Sequence, residues 1–220
     1  MTTLITGATR GIGRALSAEL VAQGETVIGT YRAAPPDDTG AEWVPLDVTD
    51  PSAQAALAQR LDGRPVDLLV CNAGIYPDKQ QQLDTGFPAP MWAETFASNV
   101  TGAFLTVQAL LPNLRLAPQP RIALIGSIMG STTRAPGGAY IYRASKAALL
   151  NLGRNLAADL QDQGICVGTY HPGWVRTRMG GTSADIDAQQ SARGLCARFA
   201  ALGPENTGCF EAWDGTELPI

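Results

Sequence analysis

The stretch Thr2-Thr-Leu-Ile-Thr-Gly-Ala-Thr-Arg-Gly-Ile-Gly-Arg14 decides the fold class of this chain. It begins like a short buried strand and continues into a helix expected to run to about Ala22. Between the two, Gly7, Gly11 and Gly13 form a G-x-x-x-G-x-G turn. Glycines at this point let backbone N–H groups approach a diphosphate, and the helix N-terminus adds partial positive charge. A glycine-rich turn is sometimes only a chain reversal, but its place between strand and helix favours a nucleotide site.

Strand and helix candidates alternate along the rest of the chain. Apolar runs predict strands over residues 26–31, 43–46, 66–71, 121–126, 165–170 and 209–211. Apolar residues at helical spacing predict helices over 51–61, with Asp50 as N-cap, over 91–111, ended by Pro112, over 139–160 and within 177–201. The polar segment 78–90 is expected to be a surface loop. The alternation predicts an α/β protein with one doubly wound Rossmann domain over residues 1–220, a mainly parallel sheet and helices on both faces.

The composition excludes several classes of function. The chain has 220 residues, 45% of them hydrophobic, and a formal net charge of −4, which gives no reason to expect nucleic acid or an anionic membrane as partner. No apolar run approaches the length of a membrane span. Because the first predicted strand starts almost at Met1, we expect no signal or transit peptide. The four cysteines form no C-x-x-C pair and there is one histidine, so we expect no metal site and a reducing, cytoplasmic location.

Polar or glycine-rich turns follow several predicted strands, at residues 7–13, 72–74, 127 and 172–173. Ligands of doubly wound sheets bind beyond the carboxyl ends of the strands, so one open site is expected to gather these turns. The segment 177–194 contains the pair Gly180-Gly181 and is expected to form a mobile lid over that site.

The second informative stretch is Tyr142-Arg-Ala-Ser-Lys146. Its tyrosine and lysine are four residues apart and therefore face the same side of the predicted helix. A lysine ammonium beside the phenol favours the phenolate and would lower the tyrosine pKa from its ordinary value of about 10. With Ser127 donating a hydrogen bond to a substrate carbonyl, such a pair suits proton transfer to a developing alkoxide. By itself, the Y-x-x-x-K spacing is more typical of a surface pair on an amphipathic helix.

Taken together, the motifs resemble the short-chain dehydrogenases/reductases over nearly the whole chain. The residues that carry the resemblance are Thr6-Gly7-x-x-x-Gly11-Ile12-Gly13, Asp47-Val48, Asn72-Ala73-Gly74, Asn99, Ser127, Tyr142, Lys146 and Pro172-Gly173. The resemblance implies that Ser127, Tyr142 and Lys146 are catalytic and that Asn99 holds a water in a proton relay. It also implies that Asp47-Val48 contacts the adenine of a dinucleotide and that Asn72-Ala-Gly supports the sheet beside it. The implied cofactor-binding residues are Gly7, Thr9, Arg10, Gly11, Ile12, Gly13, Arg32, Asp47, Val48, Asn72, Ala73, Gly74, Tyr142, Lys146, Pro172, Gly173, Val175 and Thr177.

Within this family, the sequence is most similar to the C-factor and Sniffer-like carbonyl reductases, through the stretches 127–131, 137–148 and 171–181. Three features depart from the common pattern. Cys71 replaces a frequent Asn, and Arg178 replaces an acidic residue that is common after Thr177. The interval from Ser127 to Tyr142 is two residues longer than the most frequent one.

The longer interval makes two tyrosines candidates for the proton donor. Counting from Ser127 at the usual family interval leads to Tyr140, whereas counting back from Lys146 leads to Tyr142. The second count lies within a helix, where each residue turns about 100°, so Tyr142 is about 40° from Lys146 around the axis and Tyr140 is about 120° away. The first count crosses a loop that can absorb extra residues. We therefore assign Tyr142 as the acid and Tyr140 as a packing or substrate-side residue.

The end of the second predicted strand indicates the cofactor. A dehydrogenase that prefers NAD usually has Asp or Glu there, for the ribose hydroxyls, whereas this chain has Tyr31-Arg32. Arg10 lies in the glycine turn, and two arginines can converge on a 2′-phosphate. The alternative is that both are solvated surface side chains. We expect NADP(H) as the cofactor.

The leading hypothesis is an NADP(H)-dependent enzyme that transfers hydride between the nicotinamide and a small carbonyl or alcohol substrate. An alternative is a signalling or regulatory protein of the C-factor type, which binds the dinucleotide with little or no turnover. An epimerase or dehydratase of the same superfamily is a third reading, but it needs a C-terminal substrate domain that 220 residues do not provide. The helices predicted over 91–111 and 139–160 are apolar beyond one stripe, which makes the chain a candidate homo-oligomer.

Overall fold

The computed structural model describes residues 1–37, 40–84 and 86–220, so position 85 of the predicted loop 78–90 lies outside the described residues. In these ranges seven strands form one sheet: β1 (Thr2–Ile5), β2 (Thr26–Tyr31), β3 (Glu42–Pro45), β4 (Leu68–Cys71), β5 (Arg121–Ile125), β6 (Cys166–His171) and β7 (Phe210–Ala212). The strand order is β3-β2-β1-β4-β5-β6-β7, and every neighbouring pair is parallel. The predicted doubly wound Rossmann fold is therefore confirmed.

Helices connect the strands and cover both faces of the sheet. They are α1 (Gly11–Ala22), α2 (Pro51–Arg60), α3 (Ala89–Phe96), α4 (Gly102–Leu114), α5 (Tyr140–Leu160) and α6 (Ala188–Ala201). The start of α2 follows the sequence prediction: the Asp50 carboxylate accepts a hydrogen bond from the Ser52 backbone N–H at 2.8 Å, and Pro51 occupies the first helical position.

Alternate residues of each strand face opposite sides of the sheet, and each side has its own core. In β4, Leu69 and Cys71 belong to the core shared with α2, α4 and α5. Leu68 and Val70 belong to the core shared with α1 and α6. All four side chains are buried, which explains why this strand is a continuous apolar run in the sequence.

The helix predicted over 91–111 is longer than expected and changes its winding. A π-helical segment, Ala97–Thr101, joins α3 to α4, and α4 continues through Pro112 to Leu114. The prediction that Pro112 ends the helix is therefore wrong. Proline removes one backbone donor, but tertiary contacts hold the last turn: the Asn113 side chain donates to two backbone carbonyl oxygens at 2.6 and 2.8 Å, and Leu114 is fully buried.

The segment predicted as a surface loop, 78–90, includes a residue that lies in the interior. Leu83 follows the prediction with an exposed fraction of 74%, but Asp78 has an exposed fraction of 0%. For Asp78 the prediction is wrong, because its carboxylate accepts backbone hydrogen bonds from the start of α5 and is drawn inward by them.

Two findings concern the classes of site that the composition argued against. None of the helices described here is long and apolar enough to cross a membrane. Within the described ranges there is also no group of three or more His, Cys, Asp or Glu side chains that could hold a metal ion.

Candidate active site

The turn after β1 is tied to the turn after β4 by side-chain hydrogen bonds. The Thr6 hydroxyl oxygen accepts the backbone N–H groups of Asn72 and Ala73, both at 3.0 Å. The Asn72 side-chain amide donates in return to the backbone carbonyl oxygens of Thr6 and Gly7, at 2.9 and 3.1 Å. The two motifs that the sequence placed at the ends of two strands are thus joined by four hydrogen bonds.

Glycine is required where these two turns pack together. A Cβ added at Gly13 would lie 2.5 Å from the Asn72 side-chain nitrogen and 2.5 Å from the carbonyl oxygen of Gly7. Gly7 has a φ of 64°, and a Cβ there would lie 3.0 Å from the Ala73 Cα. Among the residues described, no side chain caps the N-terminus of α1, and its first turn contains no acidic residue. This start of α1 therefore presents backbone donors and partial positive charge that suit a diphosphate.

The predicted adenine site lies at the carboxyl end of β3. The Asp47 carboxylate accepts hydrogen bonds from the Thr49 backbone N–H at 2.9 Å and from its hydroxyl at 2.7 Å. These bonds, and more weakly the charge of Arg32, hold the Asp47 pKa below its ordinary value. Val48 is buried against α4, where a Cβ at Gly102 would lie 2.7 Å from the Val48 side chain.

Three arginines converge beside the glycine turn. Arg10 precedes α1, Arg32 follows β2, and Arg178 belongs to the loop after β6. Partial burial and the positive charges of Arg178 and Arg32 lower the Arg10 pKa, so both charges act on the Arg10 guanidinium. Geometry agrees, because a Cβ at Gly11 would lie 3.5 Å from the Thr177 side chain, next to Arg178. Such a group of cations suits an anion with several oxygens.

Arg178 is a residue that the sequence interpretation did not assign to the site. The sequence marked it only as a departure from an acidic residue. The sequence did contain a signal for this role. An arginine in place of an acidic residue reverses the charge at a position next to the predicted cofactor-binding Thr177.

The structure brings Tyr142, Lys146 and Ser127 together at the carboxyl end of β5. Tyr142 and Lys146 are both buried in α5, and the Lys146 ammonium lies 5.7 Å from the centroid of the Tyr142 ring. The ammonium donates to the carbonyl oxygen of Ile125, the last residue of β5, at 2.7 Å. Ser127 follows two residues after Ile125, and its hydroxyl oxygen accepts the Met129 backbone N–H at 3.1 Å.

The expected lowering of the Tyr142 pKa is wrong in direction. Burial raises the pKa of Tyr142 to about 12, and a hydrogen bond with Ser127 opposes this only in part. Burial also lowers the pKa of Lys146 to about 8, because the ammonium has lost solvent as well. The arrangement therefore keeps Tyr142 protonated at neutral pH, which is the form that a proton donor needs.

Tyr140 lies apart from this group. It is the first residue of α5, its exposed fraction is 39%, and its ring meets the ring of Phe87 edge-on at 5.2 Å between centroids. Its position suits the packing or substrate-side role that the sequence assigned to it, whereas Tyr142 lies beside Lys146 and Ser127.

Asn99 lies within the π-helical segment and is almost fully buried. Its side-chain oxygen accepts the Ile75 backbone N–H at 2.8 Å, and its amide donates to the Ile75 carbonyl oxygen at 2.9 Å and to the Ser145 hydroxyl at 3.0 Å. A Cβ at Gly74 would lie 3.1 Å from this side chain and 3.8 Å from the Lys146 ammonium. π-helical segments are frequent at functional sites. The water-holding role that the resemblance implies stays a prediction.

The predicted cofactor-binding motif after β6, which begins with Pro172-Gly173, is held in place by close contacts. Gly173 has a φ of 88°, and a Cβ there would lie 2.6 Å from Ile186, while the Pro172 carbonyl oxygen accepts the Ser191 hydroxyl at 2.6 Å. Val175 is buried, and Thr177 accepts the Gly180 backbone N–H at 3.0 Å. Each of these contacts fixes the backbone beside the predicted cofactor-binding residues.

The predicted lid, 177–194, has two structural parts. Residues 188–194 belong to α6, where Ala192 is buried in the core, and the preceding residues form a loop. A compact turn begins that loop: the Trp174 indole N–H donates to the Gly180 carbonyl oxygen at 2.9 Å. The Lys79 ammonium reaches across to the carbonyl oxygens of Met179 and Gly180, at 3.4 and 3.5 Å. That this loop moves stays a prediction.

Replacing Gly180 and Gly181 together by Ala is expected to change kcat and KM together, on the order of tenfold, if this turn closes over the substrate. A Cβ at Gly180 would lie 2.0 Å from the Val175 carbonyl oxygen, and Gly181 has a φ of 89°, so the turn must rearrange. Gly164→Ala is the matched control, since Gly164 has a φ of 71° with no atom within 4 Å of an added Cβ. Unchanged steady-state kinetics in the double variant would make the segment an ordinary loop.

Comparison with known proteins decides the family. The sequence model of the family described as short chain dehydrogenase matches residues 1–187 of this chain. The chain belongs to this family. The match includes the glycine turn, the Tyr142–Lys146 pair and the turn after β6, so every motif on which the resemblance rests lies inside it.

Several known proteins are similar to this chain. C-signal of Myxococcus xanthus is 40% identical over 165 residues, which are 74% of this chain and 98% of that protein. The NADPH-bound carbonyl reductase from chicken fatty liver is 31% identical with a TM-score of 0.90, covering 100% of this chain and 98% of that one. Carbonyl reductase Sniffer of D. melanogaster is 28% identical with a TM-score of 0.92, covering 100% and 99%. The resemblance to C-factor and Sniffer-like proteins is thereby confirmed.

Proposed function

We propose that this protein is an NADP(H)-dependent oxidoreductase that transfers hydride between the nicotinamide and a small carbonyl or alcohol substrate. The observation that carries the proposal is the burial of Tyr142 beside Ser127 and Lys146, at the same edge of the sheet as the glycine turn. The family and the NADPH-bound carbonyl reductase among its similar structures support the same reading.

The residues at this edge fit a phosphorylated dinucleotide. The start of α1 would hold the diphosphate, where glycines leave room for it and backbone donors face it. Asp47 and Val48 would border the adenine. Arg10 and Arg32 would bind the 2′-phosphate, because their guanidinium groups lie in a cluster of like charge that an anion relieves.

Each catalytic side chain has one task in this proposal. The bound nicotinamide would supply the hydride. The Ser127 hydroxyl donates a hydrogen bond to the substrate carbonyl oxygen and orients it. The Tyr142 phenol gives its proton to the oxygen that becomes an alkoxide, and the Lys146 ammonium stabilises the phenolate that remains. In alcohol oxidation the same groups act in reverse.

The mouth of the site indicates an apolar substrate. The Tyr76 ring stacks on the Tyr142 ring with 4.1 Å between centroids, and Trp174 and Met179 have exposed fractions of 49% and 43%. We infer that these side chains border the opening above Tyr142, where they would favour ketones or aldehydes with apolar substituents.

A panel of ketones, aldehydes and alcohols, assayed with NADPH or NADP⁺ and with NADH or NAD⁺, tests the proposal. We expect measurable turnover of an apolar carbonyl compound with NADPH. Binding of NADPH without hydride transfer to any member of the panel would contradict the enzyme proposal. That result would favour the signalling alternative, which the similarity to C-signal keeps open.

A further inference from the structure

The first turn of α5, which carries Tyr142, is capped by a residue that is distant in sequence. Ala139, the residue before the helix, has a φ of 48° and makes no side-chain capping bond. Instead, the Asp78 carboxylate accepts the Ile141 backbone N–H at 2.8 Å and the Tyr142 backbone N–H at 3.3 Å. A carboxylate at this position satisfies the free donors of the helix and its partial positive charge.

This cap differs from the local aspartate caps of the same protein. Asp50 and Asp187 cap α2 and α6 from the position directly before each helix, and both are exposed. Asp78 has an exposed fraction of 0% and comes from the loop after β4. A buried carboxylate is costly unless it is well bonded, and a local cap stabilises a helix without that cost. The distant cap therefore does more than stabilise α5.

The segment that carries the cap is also fixed at its other end. Asn99 bonds both the N–H and the carbonyl oxygen of Ile75, at 2.8 and 2.9 Å. Between these two anchors lies Tyr76, whose ring is within 20° of parallel to the Tyr142 ring at 4.1 Å. The segment 75–78 thus holds the Tyr76 ring against the Tyr142 ring and also caps the first turn of α5.

We propose that Asp78 is a positioning residue for Tyr142 and that it acts by capping α5 from the loop after β4. This proposal rests on the proposed function above. The cap fixes the backbone N–H of Tyr142 itself, so the direction of the phenol depends on it. Tyr76 and Asp78 belong to the same segment, 75–78, so the cap also helps to hold the Tyr76 ring against the Tyr142 ring.

The charge of Asp78 has a second effect on the reaction. The ionisable and polar groups that face Tyr142 are Tyr76 and Asp78 from the segment 75–78, Ser127 from the turn after β5, and Lys146 from α5; Arg143 acts on Tyr76. After burial, the Asp78 charge is among the causes that raise the Tyr142 pKa. Removing the charge therefore lowers that pKa.

Two substitutions separate the cap from the charge. Asp78→Asn keeps an oxygen that accepts from α5 but loses the charge. It is expected to keep most of kcat, because its amide oxygen still caps the helix. Asp78→Ala loses both and is expected to lower kcat on the order of tenfold with the Kd for NADPH kept within about twofold. Hydrogen exchange at the amides of Ile141 and Tyr142 should accelerate on the order of tenfold in Asp78→Ala alone.

Asp50→Ala is the control for the loss of a helix cap as such, because Asp50 caps α2 and not α5. It is expected to speed exchange in the first turn of α2 and to leave kcat at saturating NADPH near the wild-type value. A wild-type kcat in Asp78→Ala, or unchanged exchange at the start of α5 in that variant, would overturn the positioning role. If the wild-type protein turns over no carbonyl compound with NADPH, the proposed function fails instead, and the exchange rates still decide whether Asp78 caps α5.

Discussion

Replacing Tyr142 by Phe is expected to lower kcat for carbonyl reduction on the order of a thousandfold while the Kd for NADPH stays nearly unchanged. The substitution removes only the hydroxyl that bonds with Ser127 and serves as the proposed proton donor. The ring remains, and with it the stack against Tyr76 at 4.1 Å between centroids, so α5 keeps its place. Steady-state kinetics and a fluorescence titration with NADPH measure the two quantities separately.

Tyr140→Phe is the control that makes this result specific. The Tyr140 side chain has an exposed fraction of 39% and contacts Phe87 through its ring, so loss of its hydroxyl is expected to leave most of the activity. A larger loss of kcat in Tyr140→Phe than in Tyr142→Phe would overturn the assignment of the proton donor. Equal losses would show that neither hydroxyl acts alone as the acid.

The assignment of Tyr142 illustrates which parts of the site a sequence can predict. The spacing from Tyr142 to Lys146 is a local property of a helix, and the structure places both side chains together in α5. The gathering of the turns after β1, β4, β5 and β6 follows from the topology, because parallel strands present their carboxyl ends at one edge of the sheet. Local periodicity and topology were therefore sufficient for the fold and for bringing the predicted site residues to one edge of the sheet.

Contacts between distant residues explain what the sequence could not predict. Asp78 reads as part of a polar loop, and only its hydrogen bond to Ile141, 63 residues away, takes it into the interior. The Tyr142 pKa depends in the same way on burial, which outweighs the effect expected from a lysine four residues away. Pro112 stays within α4 because Asn113 and Leu114 are held by other elements. In each case a tertiary contact decided against the local pattern.

Cofactor preference is the second property on which a substitution is expected to act strongly. Arg32 follows β2 and adds its charge to that of Arg10 and Arg178. Arg32→Asp is expected to lower kcat/KM with NADPH on the order of a hundredfold and to reverse or erase the preference over NADH, because a carboxylate repels a 2′-phosphate and accepts from ribose hydroxyls. Wild-type protein with a higher kcat/KM for NADH than for NADPH would contradict the assignment of NADP(H).

Substitution of Arg178, in the loop after β6, tests the assignment of NADP(H) independently. Arg178→Ala removes a charge that acts on Arg10 more strongly than Arg32 does. If Arg178 helps to bind the cofactor phosphates, the Kd for NADPH rises several-fold and its salt dependence weakens, since a screened charge pair has been lost. Arg115→Ala is the matched control, because Arg115 ends the last turn of α4 and bonds Gln163 at 2.8 and 3.0 Å. An equal effect on NADPH binding in both variants would assign Arg178 to the general charge of the surface rather than to the cofactor site.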